Sequence, residues 1–307
     1  MIKIICFLIP INCFIAAGAQ NRITDTSATC IAFWKNGEQR ILEISHGKEK
    51  YDSSILKSKT RISYEAHLKI LDSTANGFTI EWIYKNFRSP GLNEQSRNIT
   101  NSIMEGLKLL YKTNDVGSFS ELLNWKEVRD FAFGTIEGSI NNEPGNKTAI
   151  DALNQVKAMF QTKENIEAVL IREIQLYHTP YGSEYSRRGE SVSTELPNVT
   201  GGAPFPATIT VKLNEINVLK DYCIVSLNQV IDKEKAGSMI VDLLNKLAGA
   251  SLNEEVTKKD IESLEISDTN EFVYSISDGW LSRAFYNRTA NIAGFKLVET
   301  YEIRQKK

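Results

Sequence analysis

Residues 61–70 read Arg-Ile-Ser-Tyr-Glu-Ala-His-Leu-Lys-Ile. Ile62, Tyr64, Ala66, Leu68 and Ile70 alternate with Arg61, Ser63, Glu65, His67 and Lys69. A period of two puts the apolar set on one side of a strand and the polar set on the other. Downstream, a loop ending in Asn76-Gly77 leads into Phe78, Ile80, Trp82 and Tyr84, which alternate with Thr79, Glu81 and Lys85. Upstream, Asn36-Gly37 predicts a two-residue hairpin joining Cys30–Lys35 to Glu38–Ser45. The first part of the chain is therefore a β-meander with one apolar face.

From about Asn98 the apolar period changes to that of a helix. Ile103, Leu107 and Leu110 share one face, Trp125 to Phe133 fit a second helix, and Ile150, Leu153, Val156 and Phe160 a third. Ile166, Val169, Leu170 and Ile174 make a fourth. Glu143-Pro144-Gly145-Asn146 interrupts this region, and Thr179-Pro180-Tyr181-Gly182 ends it. Residues 182–207 read as irregular. Strands resume with Ile209, Val211 and Leu213 and with Tyr222–Ile231. A helix carrying Ile240, Leu243, Leu244 and Leu247 follows, then Phe272–Ser277, an Asp278-Gly279 hairpin turn, Trp280–Arg288 and Phe295–Ile303.

This order predicts an α+β fold with strands over 29–90, a helical insertion over 98–178, and strands with one helix over 205–305. Long hairpins without regular βαβ alternation point to a curved, largely antiparallel sheet built from both ends of the chain. The amphipathic helices pack on its concave face. Two domains split near residue 180 are the alternative.

The 307-residue chain has a formal net charge of −2. Its opening has the layout of a secretory signal peptide: Lys3, an apolar run from Ile4 to Ile15, and the small residues Ala17-Gly18-Ala19. Cleavage near Ala19 leaves a single domain over 20–307, exported to the periplasm or the exterior. The apolar run is shorter than the ~20 residues a spanning helix needs. An N-terminal anchor and acylation at Cys13 are the alternatives. Acidic and basic residues are interspersed, so no basic stripe for nucleic acid is present.

Cys30 and Cys223 remain after cleavage, which permits one disulfide between the first strand and a distant one. Two buried thiols are the alternative.

An exported chain with long antiparallel strands, inserted helices and a final hairpin through Asp278-Gly279-Trp280 resembles the half-barrel carriers of the lipoprotein-localisation-factor type. The resemblance is architectural and spans roughly residues 29–305. It implies an apolar ligand, such as a lipid or acyl chain, between sheet and helices. Glu121-Leu122-Leu123-Asn124-Trp125, Glu195-Leu196-Pro197-Asn198 and Gly201-Gly202-Ala203-Pro204 look similar to exported proteins of Gram-negative envelopes that carry no known activity.

Catalytic and cofactor motifs are absent. The sequence has no CxxC, no GxSxG, no P-loop and no GxGxxG. The three histidines, His46, His67 and His178, lack metal-type spacing, and His178 at a helix end is expected to favour its charged form. Cofactor, metal and catalytic residue assignments are therefore all none. Asn98, Asn146, Asn198 and Asn287 open sequons that matter only in a eukaryotic secretory host.

Tyr64 and Trp82, with Leu107 and Val156, are candidates to line a ligand cavity. Tyr181 and Tyr185, beside Arg187 and Arg188, are candidates for a ligand lip, and Phe205 for an apolar contact at a hinge. Ordinary core and loop packing is the alternative for each. Three functions follow. The first is an exported, non-enzymatic binder of an apolar small molecule. The second is a structural or protein-interaction component of the envelope. The third is a hydrolase with a carboxylate pair.

Overall fold

A computed structural model describes residues 23–90, 94–142, 147–158, 160–196, 205–233, 235–236, 265–292 and 295–306. The expected signal segment 1–19, the turn at Glu143–Asn146, the Gly201–Pro204 stretch, and the helix around Ile240 to Leu247 lie outside these residues. So do Asn198 and the side chain of Val156.

The meander forms as its alternation dictates. Strands β2 (Gln39–Asp52), β3 (Ile55–Thr74) and β4 (Gly77–Arg88) pair antiparallel. Tyr64, Ala66, Leu68 and Ile70 are buried, as are Phe78, Ile80, Trp82 and Tyr84. Gly77 is required at the turn: its φ is +135°, and a Cβ there would lie 2.0 Å from the Thr113 carbonyl oxygen.

With β5 (Lys108–Thr113), β6 (Phe119–Leu122) and the strands β8–β13 whose ranges follow, the large sheet has eleven strands in the order β6-β5-β4-β3-β2-β13-β12-β11-β10-β9-β8, and every neighbouring pair is antiparallel. Its second half comprises β8 (Glu190–Leu196), β9 (Phe205–Asn217), β10 (Tyr222–Ile231), β11 (Glu265–Ser275), β12 (Leu281–Ile292) and β13 (Phe295–Gln305). The two ends of the chain meet where β13 pairs with β2, placing Ile303 beside Ile44 and Tyr301 beside His46. The fold is α+β with one open, curved sheet, as the sequence predicts. The Asp278-Gly279 turn also forms, joining β11 to β12 with Gly279 at φ +72°.

Three local expectations are corrected. Cys30–Lys35 does not form a hairpin with Glu38–Ser45. Only β1 (Ser27–Thr29) is a strand there, and it pairs with β7 (Glu184–Ser186). The extended segment that follows bonds elsewhere: Ala32 N–H donates to the Val116 carbonyl at 2.9 Å, and the Cys30 carbonyl accepts from Gly182 N–H at 2.8 Å. The segment is a strap across one end of the sheet.

Second, Leu107 and Leu110 are not helical. Helix α1 (Glu94–Met104) stops ahead of Gly106 at φ +78°, and β5 (Lys108–Thr113) and β6 (Phe119–Leu122) extend the sheet. Leu109, Tyr111 and Thr113 are the inward set, a period of two that covers the edge of β4. Third, residues 182–207 are not wholly irregular, because β7 and β8 lie within them; β8 pairs along β9.

The remaining helices are α2 (Trp125–Asn142), α3 (Lys147–Ala158), α4 (Lys163–Leu170) and α5 (Arg172–His178). Thr162 caps α4 by accepting a 3.2 Å hydrogen bond from Asn165 N–H. The expected fourth helix breaks at Ile171 into α4 and α5. The break lets α5 lie against both halves of the sheet. Tyr177 meets Trp82 edge-on at 6.4 Å and donates to the Leu281 carbonyl at 3.2 Å. No helix among the described residues is long and apolar enough to cross a membrane.

Candidate functional site

Register across the second half of the sheet converts separate strands into rows of side chains. Val225, Phe272, Ala284, Ile303, Ile44 and Tyr64 are successive partners on β10, β11, β12, β13, β2 and β3. That row is apolar. Two residues further along each strand, and so on the same face, lie Leu227, Asn270, Tyr286, Tyr301 and His46. Two residues further again lie Gln229, Asp268, Arg288, Glu299 and Lys48. The inner face thus grades from apolar to charged within three rows.

Apart from the half-buried Lys48, the charged row is buried, as is Asn270 in the row before it. Gln229, Asp268, Asn270, Arg288 and Glu299 are all below a tenth exposed. Removing such groups from water costs several kcal/mol per ion unless they are paired. The pairing is thorough. The Arg288 guanidinium grips Asp268 with two bonds, one of them Nε to Oδ1 at 2.6 Å. Arg172 reaches in from α5, with Nη1 at 3.1 Å from Glu299 Oε2 and Nη2 donating to the Tyr286 hydroxyl at 3.1 Å. Its guanidinium also lies over the rings of Tyr286 and Tyr301, at 5.3 and 5.2 Å.

His46 completes the group. Its Nε2 lies 3.0 Å from Glu299 Oε1, and its ring stacks on Tyr301 at 4.1 Å. Burial by itself pushes the Glu299 carboxyl up. The hydrogen bond to His46 and the charges of Arg172 and Lys48 overcome this and hold it at about 2. Glu299 is thus an anion at neutral pH, suited to fixing cations and unsuited to donating a proton. Asp268, clasped on two oxygens by Arg288, is likewise committed to a structural charge pair.

Two acceptors in this region are left over. The Asn270 side chain donates to the Leu227 carbonyl at 3.0 Å, yet among the described residues its Oδ1 has no hydrogen-bond partner. Gln229 Oε1 has none either. Buried polar atoms are nearly always paired, so two unpaired amide oxygens on neighbouring strands call for an explanation. The chemistry they offer is acceptance of a hydrogen bond from a hydroxyl, amide or ammonium group.

The residues singled out from the sequence lie elsewhere. Tyr64 and Trp82 are buried on adjacent strands. The Tyr64 and Tyr84 hydroxyls both donate to Glu173 Oε1, at 2.6 and 2.8 Å. Tyr181 and Tyr185 are buried too: Tyr181 donates to the Gly279 carbonyl at 2.9 Å and Tyr185 to the Pro180 carbonyl at 3.3 Å. Phe205 opens β9 and is buried opposite Leu196. Tyr181 joins Trp34, Phe78 and Trp280 at the strap end of the sheet, where ring centroids lie 4.6–5.2 Å from Trp34. Tyr181 and Tyr185 therefore lie near the strap, and Tyr64 and Trp82 lie on adjacent strands of the first half, each against Tyr84 rather than against each other. Phe205 joins neither pair.

His178 also belongs to the strap end, and the expectation for its charge is overturned. Burial drives its pKa down to about 4 against a raising contribution from the Gly117 carbonyl. Nδ1 donates to that carbonyl at 2.8 Å, which leaves Nε2 to accept from the Tyr111 hydroxyl at 2.9 Å. A neutral ring satisfies both contacts. Cys30 and Cys223 are buried free thiols in mutual hydrogen-bond contact rather than a disulfide. Burial pushes the Cys30 thiol up. No cluster of three or more metal-type ligands occurs among the described residues.

Sequence reasoning missed Arg172, Gln229, Asp268, Asn270, Arg288 and Glu299. A signal existed in β11. Counting back by twos from the Asp278-Gly279 turn puts Tyr274, Phe272, Asn270 and Asp268 on one face, so the apolar face turns polar part-way along the strand.

No family model matches the chain, and no curated protein matches it. Among solved structures the chain is similar to lipovitellin, a study of lipid–protein interactions, at 8% identity and a TM-score of 0.44. That likeness covers 89% of this chain and 25% of the lipovitellin chain, so this chain spans about a quarter of its neighbour. It is also similar to Rv2717c from M. tuberculosis (6% identity, TM-score 0.24, 87% and 91% of the two chains). A third neighbour is a candidate lipoprotein from Parabacteroides distasonis (10% identity, TM-score 0.23, 90% and 99%). At these scores the likenesses carry no argument about ligand or role.

Proposed function

We propose that the protein is an exported, non-enzymatic carrier that holds one amphipathic, lipid-like molecule on the inner face of β10–β13. The apolar row through Phe272, Ala284 and Ile303 takes the hydrocarbon chain. The row through Gln229, Asp268, Arg288 and Glu299 takes the polar end. Export rests on the signal-like layout of residues 1–19.

The observation that carries this reading is the pair of unpaired buried acceptors, Gln229 Oε1 and Asn270 Oδ1. They sit where apolar and charged rows meet, and a head group bearing hydroxyl or amine donors satisfies both. The ion pairs beside them are already closed, so they set the electrostatic field and leave the amides to hydrogen-bond the ligand. A hydrolase with Asp268 and Glu299 as its carboxylate pair is disfavoured, because each is held by an arginine.

The test is native mass spectrometry of the protein purified from its own envelope, followed by solvent extraction. A lipid bound near one-to-one, lost in Asn270→Leu and Gln229→Leu while thermal stability is kept, is the expected result. A clean apo mass overturns the carrier. It favours the envelope structural or protein-interaction reading, which is itself supported by the burial of Tyr64, Trp82, Tyr181, Tyr185 and Phe205 in ordinary core contacts.

A further inference from the structure

The hairpin joining β2 to β3 combines exposed apolar side chains with a run of basic ones. Ser53 and Ser54 have φ of +48° and +73°, a tight two-residue turn that leaves Ile55 and Leu56 at the tip. Ile55 is 63% exposed and Leu56 48%. On the neighbouring strand Phe295 is 52% exposed, and Phe295, Asp52 and Ile55 are successive partners across β13, β2 and β3. Three large apolar side chains are therefore presented to water at one end of the central strands of the sheet.

The tip also projects. β4 pairs with β3 only from Ser63 onward, where Arg88 is its partner, so β3 before that point has β2 as its ladder partner. Residues 48–61 carry five basic side chains (Lys48, Lys50, Lys57, Lys59, Arg61) against two acidic ones (Glu49, Asp52), in a chain whose formal net charge is −2. Lys296 adds another cation beside Phe295. Lys57 and Lys59 contact Asp52 and Glu49, at 3.6 and 2.7 Å, but these pairs are solvent-exposed and weak.

The opposite end of the sheet supplies an internal comparison. Val218 and Leu219 are also exposed, at 68% and 100%, in the β9–β10 turn. Their neighbours Glu215, Lys220 and Asp221 make no basic cluster.

We propose that the β2–β3 tip, with Phe295 and Lys296, docks on an anionic phospholipid surface. Exposed aliphatic and aromatic side chains enter the boundary of the bilayer, and the surrounding lysines meet the phosphates. Each basic residue near an anionic surface adds attraction that decays within a Debye length. Lysines on the stretch of β3 that β4 does not pair also oppose strand addition by a protein partner, so charge and edge chemistry both favour lipid over peptide. This inference does not depend on a bound ligand at the inner face.

The experiment is flotation of the full chain with phosphatidylcholine vesicles, with and without phosphatidylglycerol, at low and high salt. Binding confined to phosphatidylglycerol vesicles and weakened by salt is expected. Lys50→Glu with Lys296→Glu should lower the partition roughly tenfold or more. Ile55→Ser with Leu56→Ser should lower it as well, at unchanged melting temperature. Val218→Ser with Leu219→Ser should leave it unchanged and so separates tip-specific docking from generic stickiness. Equal binding to uncharged vesicles, no binding, or loss on the Val218 and Leu219 changes overturns the proposal. So does concentration-dependent self-association that Ile55→Ser abolishes, which makes the tip a contact between copies of the chain.

Discussion

At the strap end of the inner face Trp34, Trp280, Phe78 and Tyr181 meet ring to ring, whereas at the other end Arg288, Asp268, Arg172 and Glu299 meet charge to charge. Trp34 lies in the strap, Phe78 on β4, Tyr181 in a turn and Trp280 just before β12, whereas Asp268, Arg288 and Glu299 lie on β11, β12 and β13 and Arg172 on α5. At the ring end the aromatic groups find partners: Trp34 and Tyr181 both donate to the Gly279 carbonyl, Trp280 to Glu38, and His178 bridges Gly117 and Tyr111. The charged end balances its ions yet leaves two amide oxygens open. A region kept polar and partly unsatisfied at the same depth is better placed to receive something.

The comparison breaks most sharply at Asp268. Asp268→Ala leaves Arg288 buried without its partner, and breaking a buried pair from one side costs about 3–5 kcal/mol. Replacing both, as Asp268→Leu with Arg288→Met, should recover most of that loss. Urea denaturation of the three variants measures it. A single change that costs under about 1 kcal/mol would mean the pair is wetter than its burial indicates.

Acid separates the two ends next. His178 has its folded pKa depressed to about 4 from 6.5, so the folded state binds fewer protons than the unfolded one between those values. Its contribution is fully present above pH 6.5 and is lost as pH falls toward 4, on the order of 3 kcal/mol. Glu299, depressed to about 2 from 4.5, contributes above pH 4.5 and loses that between 4.5 and 2, to a similar extent. Stability against pH should therefore fall in two stages, strap end first. His178→Gln should flatten the upper stage and Glu299→Gln the lower one. A single stage unaffected by His178→Gln would mean that ring is not held neutral.

The smallest expected effect sharpens the strap end. Cys30 and Cys223 touch as thiols, and an added oxidant such as diamide should join them, taking one hydrogen from each sulfur. Closing so long a loop adds about 2 kcal/mol or more. Intact mass and melting temperature, compared with Cys30→Ala, measure it. An unchanged mass under oxidant would leave the pair as a buried thiol contact.

Much of the fold was legible because it is local. The alternation over Ile62–Ile70 and Phe78–Tyr84, and the Asp278-Gly279 turn, each report a backbone state through neighbouring residues. The sequence signal failed where two states compete over a short span. Leu107 and Leu110 fit a helical face, but Leu109 and Tyr111 fit a strand, and the open edge of β4 decided for the strand. It failed again at Cys30–Lys35, whose partners at Val116 and Gly182 are distant in sequence. Tyr64 and Trp82 lie on the apolar faces that their alternation gives, yet apolarity alone does not separate a ligand wall from a core; Tyr181 and Tyr185, expected at an exposed lip, are buried by contacts distant in sequence.

Side-chain period and turn chemistry are properties of adjacent residues, so the strand faces and the α+β class could be read from the sequence. The tertiary structure alone decided that Gln229, Asp268, Arg288, Glu299 and Lys48 form one row, and that Arg172 enters it from a helix. Those residues sit on five different strands and a broken helix. Which of them face one another depends on inter-strand register, a non-local choice made by the burial of the whole sheet at once.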